Sequence, residues 1–103
     1  MAGRVRWTEA ALDDLESIAG YIARDSRYYA SVVVREVREA TRSITFMPLK
    51  GRIVPELDDE SVREIFVRHY RLVYRIKNDG VYLIGIIHGA RDLGDVFRRG
   101  GRD

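Results

Sequence analysis

Residues 62–87 read VREIFVRHYRLVYRIKNDGVYLIGII, and the reading of this stretch decides the fold. Val62 to Val67, Tyr70 to Ile76 and Val81 to Ile87 are three runs rich in β-branched and aromatic residues, the composition of strands. Between them stand Arg68-His69 and Lys77-Asn78-Asp79-Gly80, connections short enough for hairpins, so the runs are predicted to form an antiparallel meander. The side-chain period of a strand is two. Tyr70, Leu72, Tyr74 and Ile76 therefore share one face of the middle strand, and Arg71, Val73 and Arg75 share the other. One face is expected to be core and the other basic.

Upstream the period changes from two to that of a helix. Ala11, Leu15, Ile18 and Ile22 fall on one stripe with Asp13, Asp14 and Glu16 off it, behind Thr8 as a candidate N-cap and Glu9 in the first turn. This helix is predicted to run to about Arg24, where Asp25 and Ser26 break it and can cap the next. The second begins near Arg27 and carries Val33, Val37, Ala40, Ile44 and Met47 on one face, with Arg35, Glu39 and Arg42 on the wet side. Pro48 disfavours helix at Met47 and marks the stop. Two helices joined by two or three residues make an antiparallel hairpin whose apolar stripes need a sheet to cover them. Arg4-Val5-Arg6-Trp7 alternates as a short first strand, and Pro48 to Ser61 reads as a loop crossing from helices to sheet. After Ile87 the chain reads HGARDLGDVFRRGGRD, where Leu93, Val96 and Phe97 suit one last helical turn before a polar tail. The expected class is α+β: an N-terminal strand, an antiparallel helical hairpin packed on a mostly antiparallel sheet and a short C-terminal helical turn, one domain over residues 1–103.

Composition narrows the function classes. At 103 residues, 46% of them hydrophobic, the chain supports one small core. The absence of cysteine excludes a disulfide framework and a thiolate zinc site. No apolar run reaches the roughly 18 residues of a membrane span, and MAGRVRWTEAALDD lacks the apolar centre of a secretory signal, so a cytoplasmic location is expected. The net charge of +2 is uneven, acidic over residues 1–25, balanced over 26–60 and basic over 61–103. Apart from Lys50 and Lys77 the basic residues are arginines, whose planar fork suits carboxylates and phosphates.

There is no phosphate-binding glycine loop, no histidine pair at metal-ligand spacing and no nucleophile elbow, so neither a cofactor nor a metal is expected. What remains is a cluster by topology. Arg71 and Arg75 on the middle strand, His88 and Arg91 just beyond the last strand, and Glu56 in the loop feeding the sheet are expected on one concave surface. The bland readings stand beside this one. A lone histidine at a strand end is more often structural, Arg63 is expected to fasten loop to sheet by pairing with Glu56 or another carboxylate, and Tyr70 and Tyr74 suit a core with satisfied hydroxyls. Trp7 is expected between sheet and helices, and Asp58-Asp59-Glu60 in a solvated loop.

The segments VRWTEAALDDLESIAGYIARDS, GRIVPELDDESVREIFVRHYRLVYRI and IIHGARDL, in this order and spacing, resemble the RelE/ParE superfamily of toxins from type II toxin–antitoxin modules. The resemblance implies the same fold that periodicity gave, and it implies one of two activities. RelE-like members cut mRNA in the ribosomal A site with basic side chains around the phosphate and a C-terminal tyrosine. Arg71 and Arg91 match that pattern, but Val62-Arg63-Glu64 stands where lysines are expected and Phe97 where the tyrosine is. A YoeB-like subtype uses a Glu, an Arg and a His, types that Glu56, Arg71 and His88 offer in order. ParE-like members inhibit DNA gyrase, and the GRIVPE, VREI, YRLVYRI and HGARD strings look closest to that branch. The favoured expectation is a ParE-like gyrase inhibitor, of the kind that stabilises plasmids or chromosomes, neutralised by an acidic antitoxin that folds on binding. Its target-binding residues are then Arg71, Arg75, His88, Arg91, Phe97, Arg98 and Arg99. The alternatives are a ribosome-dependent endoribonuclease acting on mRNA through Glu56, Arg71, His88 and Arg91, and a degenerate toxin that serves only to bind an antitoxin.

Overall fold

Thr8 opens the first helix as its cap: its Oγ1 accepts from the Ala11 N–H at 3.2 Å and donates to the Leu83 carbonyl at 3.0 Å. One side chain thus satisfies a free helix-end donor and ties that helix to the sheet. The computed structural model describes residues 5–89. Their order is β1 (Arg6–Trp7), α1 (Glu9–Ala23), α2 (Arg27–Phe46), a 3₁₀ turn (Pro48–Lys50), β2 (Arg52–Ile53), β3 (Val62–Val67), β4 (Tyr70–Lys77) and β5 (Gly80–His88). Ser26 caps α2, its Oγ accepting from the Tyr29 N–H at 3.0 Å. The helical hairpin and the meander lie where the sequence places them; the expected C-terminal helical turn falls outside the described residues.

The sheet order is β1-β5-β4-β3-β2, antiparallel except for β1, which runs parallel to β5. The stretch read as loop holds one element that sequence does not reveal, the two-residue strand β2, paired antiparallel to β3 through Arg52 with Glu64 and Ile53 with Arg63. Two residues are too few for a period to show. On the other edge β1 pairs only with Tyr82 and Leu83. Beyond it Asp14 of α1 takes over, accepting the Ile86 N–H at 2.9 Å, so a helix carboxylate covers a donor at the open edge of β5.

Two apolar clusters lie on opposite faces of the sheet. The larger is roofed by the hairpin and joins Ala11, Leu15, Val33, Val37 and Ile44 to Leu72, Tyr74, Leu83 and Ile86. Tyr74 is fully buried, its hydroxyl donating to the Pro48 carbonyl at 2.6 Å and accepting from the Gly51 N–H at 2.9 Å. Met47, read as the last member of the α2 stripe, is exposed, because the helix ends at Phe46 and the chain turns away. The smaller cluster, Val54, Val62, Val73 and Ile84, corrects the expectation of a basic second face. The segment after β2 folds beneath the sheet and brings Val54 against it, so the face away from the helices is partly core.

Gly20 stands in the last turn of α1, three residues before its end, and a Cβ built there meets nothing within 4 Å. Glycine in a helix interior is less favourable than alanine by roughly 0.5–1 kcal/mol through backbone entropy. Gly20→Ala is therefore expected to raise the unfolding free energy by about that amount, read as a higher urea midpoint.

Candidate functional site

The chemistry-bearing residues of the middle strand converge on the face away from the helices. In the β3–β4 register Phe66 opposes Arg71, Glu64 opposes Val73 and Val62 opposes Arg75, which sets Glu64 diagonally beside Arg71 on one face. Arg71 is only 7% exposed in its side chain, and its guanidinium is held by two carboxylates. Its Nη1 and Nη2 each donate at 3.0 Å to one oxygen of Glu56, and Nε donates at 2.6 Å to Glu64. The side chain of Glu64 has no exposed surface, and its second oxygen accepts from Arg52 Nε at 2.6 Å. The Arg52 guanidinium in turn lies 5.2 Å from the centre of the half-exposed Phe66 ring. Two carboxylates and two guanidiniums thus form a charge-neutral chain running from the buried sheet face to solvent.

This geometry sets the protonation states. Hydrogen bonding from Arg71 holds the Glu56 carboxyl below its ordinary value of 4.5, against a smaller opposing push from burial. The same pairing raises the Arg71 guanidinium, first through Glu56 and also through Glu64. A folded value below the unfolded one means that the pair contributes stability fully above about pH 4.5 and loses it as pH falls through the folded value. Glu56 is 49% exposed, so solvent screens much of this contribution. Glu56→Gln is expected to shift the acid limb of a pH–stability curve by less than about 1 kcal/mol, while leaving the plateau near pH 7 slightly lowered.

Of the residues singled out in the sequence, Glu56 and Arg71 are brought into direct contact, and Arg75 lies on the same face. His88 is not with them. It pairs across β4–β5 with Tyr70, one register position beyond the Arg71–Ile87 pair, and so projects to the opposite face. There its exposed ring meets the edge of Tyr70, centroids 5.8 Å apart, and stacks on His69 at 6.2 Å. The expectation of one concave surface holding Glu56, Arg71 and His88 therefore fails on side-chain parity. Arg63 does not fasten Glu56 either: it donates to the carbonyls of Gly51 at 3.0 Å and Glu60 at 3.0 Å, and Arg71 makes the carboxylate pair instead. Arg91, Phe97, Arg98 and Arg99 lie outside the described residues. Arg52 was missed by sequence reasoning and Glu64 was read only as a carboxylate standing where lysines are expected, although counting in twos from Val62 puts Glu64 on the arginine face once the register is known.

Residues 5–93 match the family model described as the ParE toxin of type II toxin–antitoxin system, parDE. The chain belongs to the ParE toxin family. The folds agree as well: a solved structure titled as the chromosomal ParDE TA system from P. aeruginosa superposes with a TM-score of 0.68 at 19% identity, over 82% of this chain and 94% of that one. Among curated proteins, none matches this chain significantly. Membership makes this ParE-family chain the toxin half of a toxin–antitoxin pair, which implies an antitoxin partner. Among the described residues no helix is long and apolar enough to cross a membrane, and no group of three or more His, Asp or Glu side chains could hold a metal ion.

Proposed function

We propose that this ParE-family toxin inhibits DNA gyrase, is neutralised by its antitoxin, and does not cleave RNA. The observation that carries the reading is the state of Arg71. A ribonuclease of this fold needs an arginine free to meet a phosphate that gains negative charge in the transition state, and loss of one such group typically costs about 10²–10³-fold in rate. Here the fork of Arg71 is occupied by Glu56 and Glu64. Glu64 also places a buried carboxylate where an incoming phosphate would be repelled. Glu56, as the partner of a guanidinium with its carboxyl held low, is a weak proton acceptor. His88, the third member of a possible base, clamp and acid set, faces the other side of the sheet.

Purified toxin is expected to block gyrase supercoiling and to accumulate cleaved DNA, and to leave A-site mRNA intact in a translating extract. His88→Ala is expected to retain gyrase inhibition, and changes within the segment from Arg91 to Arg99 to abolish it. Cleavage of mRNA that disappears in His88→Ala, with supercoiling untouched, would overturn the reading in favour of the endoribonuclease. Inactivity in both assays together with tight antitoxin binding would leave the degenerate binding module.

A further inference from the structure

The two histidines of the chain, His69 and His88, stand far apart in sequence, and the fold brings them side by side. His69 is the second residue of the two-residue turn between β3 and β4, and His88 is the last residue of β5. The backbone fixes both. His88 pairs with Tyr70 across β4–β5, and the Gly89 N–H donates to the His69 carbonyl at 2.7 Å, so the end of β5 is tied to the turn itself. Backbone strain marks that turn: Arg68, its first residue, has a φ of 54°, a left-handed conformation that hairpin turns normally give to glycine, asparagine or aspartate. Its guanidinium is gripped from α2, Nε and Nη2 donating at 2.7 and 2.9 Å to the two oxygens of Glu36 and Nη1 donating at 3.2 Å to the Tyr29 hydroxyl. The clamp holds the strained turn, and with it the position of His69, while Glu36 neutralises the cation next to that histidine.

Both imidazoles are exposed, their ring centres 6.2 Å apart and their planes inclined by 22°. His88 also meets the edge of the Tyr70 ring at 5.8 Å, but no ring nitrogen of either histidine makes a hydrogen bond to a described residue. An ion bound by two imidazole nitrogens, each at about 2.0–2.1 Å, holds those nitrogens about 3–3.5 Å apart. Exposed rings whose centres are 6.2 Å apart on a fixed backbone reach that separation by turning about their side-chain bonds. We propose that His69 and His88 chelate one divalent late first-row transition ion, which bridges the β3–β4 turn and the end of β5 and keeps water in its remaining positions. The ligand type selects the class: imidazole suits copper, nickel and zinc, whereas magnesium and calcium take oxygen ligands. No carboxylate completes the pair. Among the described residues no three His, Asp or Glu side chains cluster, and Glu36, the acid of the neighbouring clamp, is engaged by Arg68. Two protein ligands leave the ion exchangeable, so occupancy follows the supply of metal. Once one imidazole is bound, the second binds within the same molecule at high effective concentration, an advantage that a lone surface histidine lacks. Sequence spacing hides this pair because ligand motifs are recognised between near neighbours, and strand pairing makes this one.

The test titrates the full-length protein, free of any affinity tag and stripped of metal, with copper(II), nickel(II), zinc(II) and magnesium in a calorimeter, and records the melting temperature with and without each metal. Copper(II) is expected to bind at one ion per chain and more tightly than nickel or zinc, and magnesium is expected not to bind. His69→Asn and His88→Ala are each expected to weaken copper binding by roughly tenfold or more, and the double variant to bind no more weakly than either single one, because either loss removes the chelate. The two imidazoles meet only in the folded chain. Copper is therefore expected to raise the melting temperature of the parent protein and to leave those of both single variants unchanged. Both histidines are exposed, so the variants are expected to melt as the parent does in the absence of metal. No binding by the parent protein, or binding that raises no melting temperature, would overturn the proposal. So would losses in the single variants that merely add up in the double one, since that is the behaviour of two independent surface histidines.

Discussion

Glu64→Ala is expected to destabilise the protein by about 3–5 kcal/mol, a large part of the roughly 5–15 kcal/mol that holds a small domain together. The carboxylate has no solvent contact and faces two guanidiniums, Arg71 on one oxygen and Arg52 on the other. Removing it leaves the buried Arg71 with Glu56 alone, and Glu56 is a half-exposed partner. The cost is that of stranding a charge rather than the net worth of the pair. Two controls separate these. Arg52→Ala removes an exposed partner and is expected to cost no more than about 1 kcal/mol. Replacing Arg71 and Glu64 together by leucine, which leaves no stranded charge between them, is expected to cost less than Glu64→Ala alone. Urea denaturation of the four proteins gives the comparison, and a Glu64→Ala midpoint equal to that of Arg52→Ala would mean that solvent screens the pairing of Glu64 with Arg71.

The same network shows where the sequence stops being readable. The meander was legible because Tyr70, Leu72, Tyr74 and Ile76 alternate with polar or smaller residues, and the hairpin because Leu15, Ile18 and Ile22, then Val33, Val37 and Ile44, repeat at helical spacing. Thr8 and Ser26 were legible as caps for the same local reason. Parity within β4 was also legible, but what covers a face is a long-range fact. Val54 and Glu56 come from a segment without a period, and only the fold beneath β3 and β4 turns Arg71 from a free basic group into a clamped one. His88 failed as a site partner on a single register step: one residue earlier or later on β5 would have put it on Arg71's face. Gly20 carried no signal at all in the sequence, since a lone glycine in a helical pattern is legible only as a weakness until the space around it is known.

Val37→Asp is expected to abolish the folded state. Val37 is 1% exposed and sits in the middle of α2, in the cluster that joins both helices to Leu72 and Leu83. Its neighbours there are aliphatic or aromatic, and the nearby Thr41 hydroxyl already donates to the backbone carbonyl of Val37 at 2.8 Å. An aspartate would have to stay charged without a partner or take up a proton, and burying it unpaired costs several kcal/mol, comparable with the whole stability of a domain this size. The loss of valine packing adds to that cost. Glu39→Ala, two residues further along the same helix but exposed, is expected to change stability by no more than about 0.5 kcal/mol. Protonation supplies an internal check: lowering the pH should restore part of the ellipticity of Val37→Asp, because the neutral carboxyl is cheaper to bury, while the parent protein loses stability over the same range as Glu56 lets go of Arg71. A Val37→Asp protein that melts cooperatively at neutral pH, close to the parent temperature, would show that this face of α2 does not pack against the sheet.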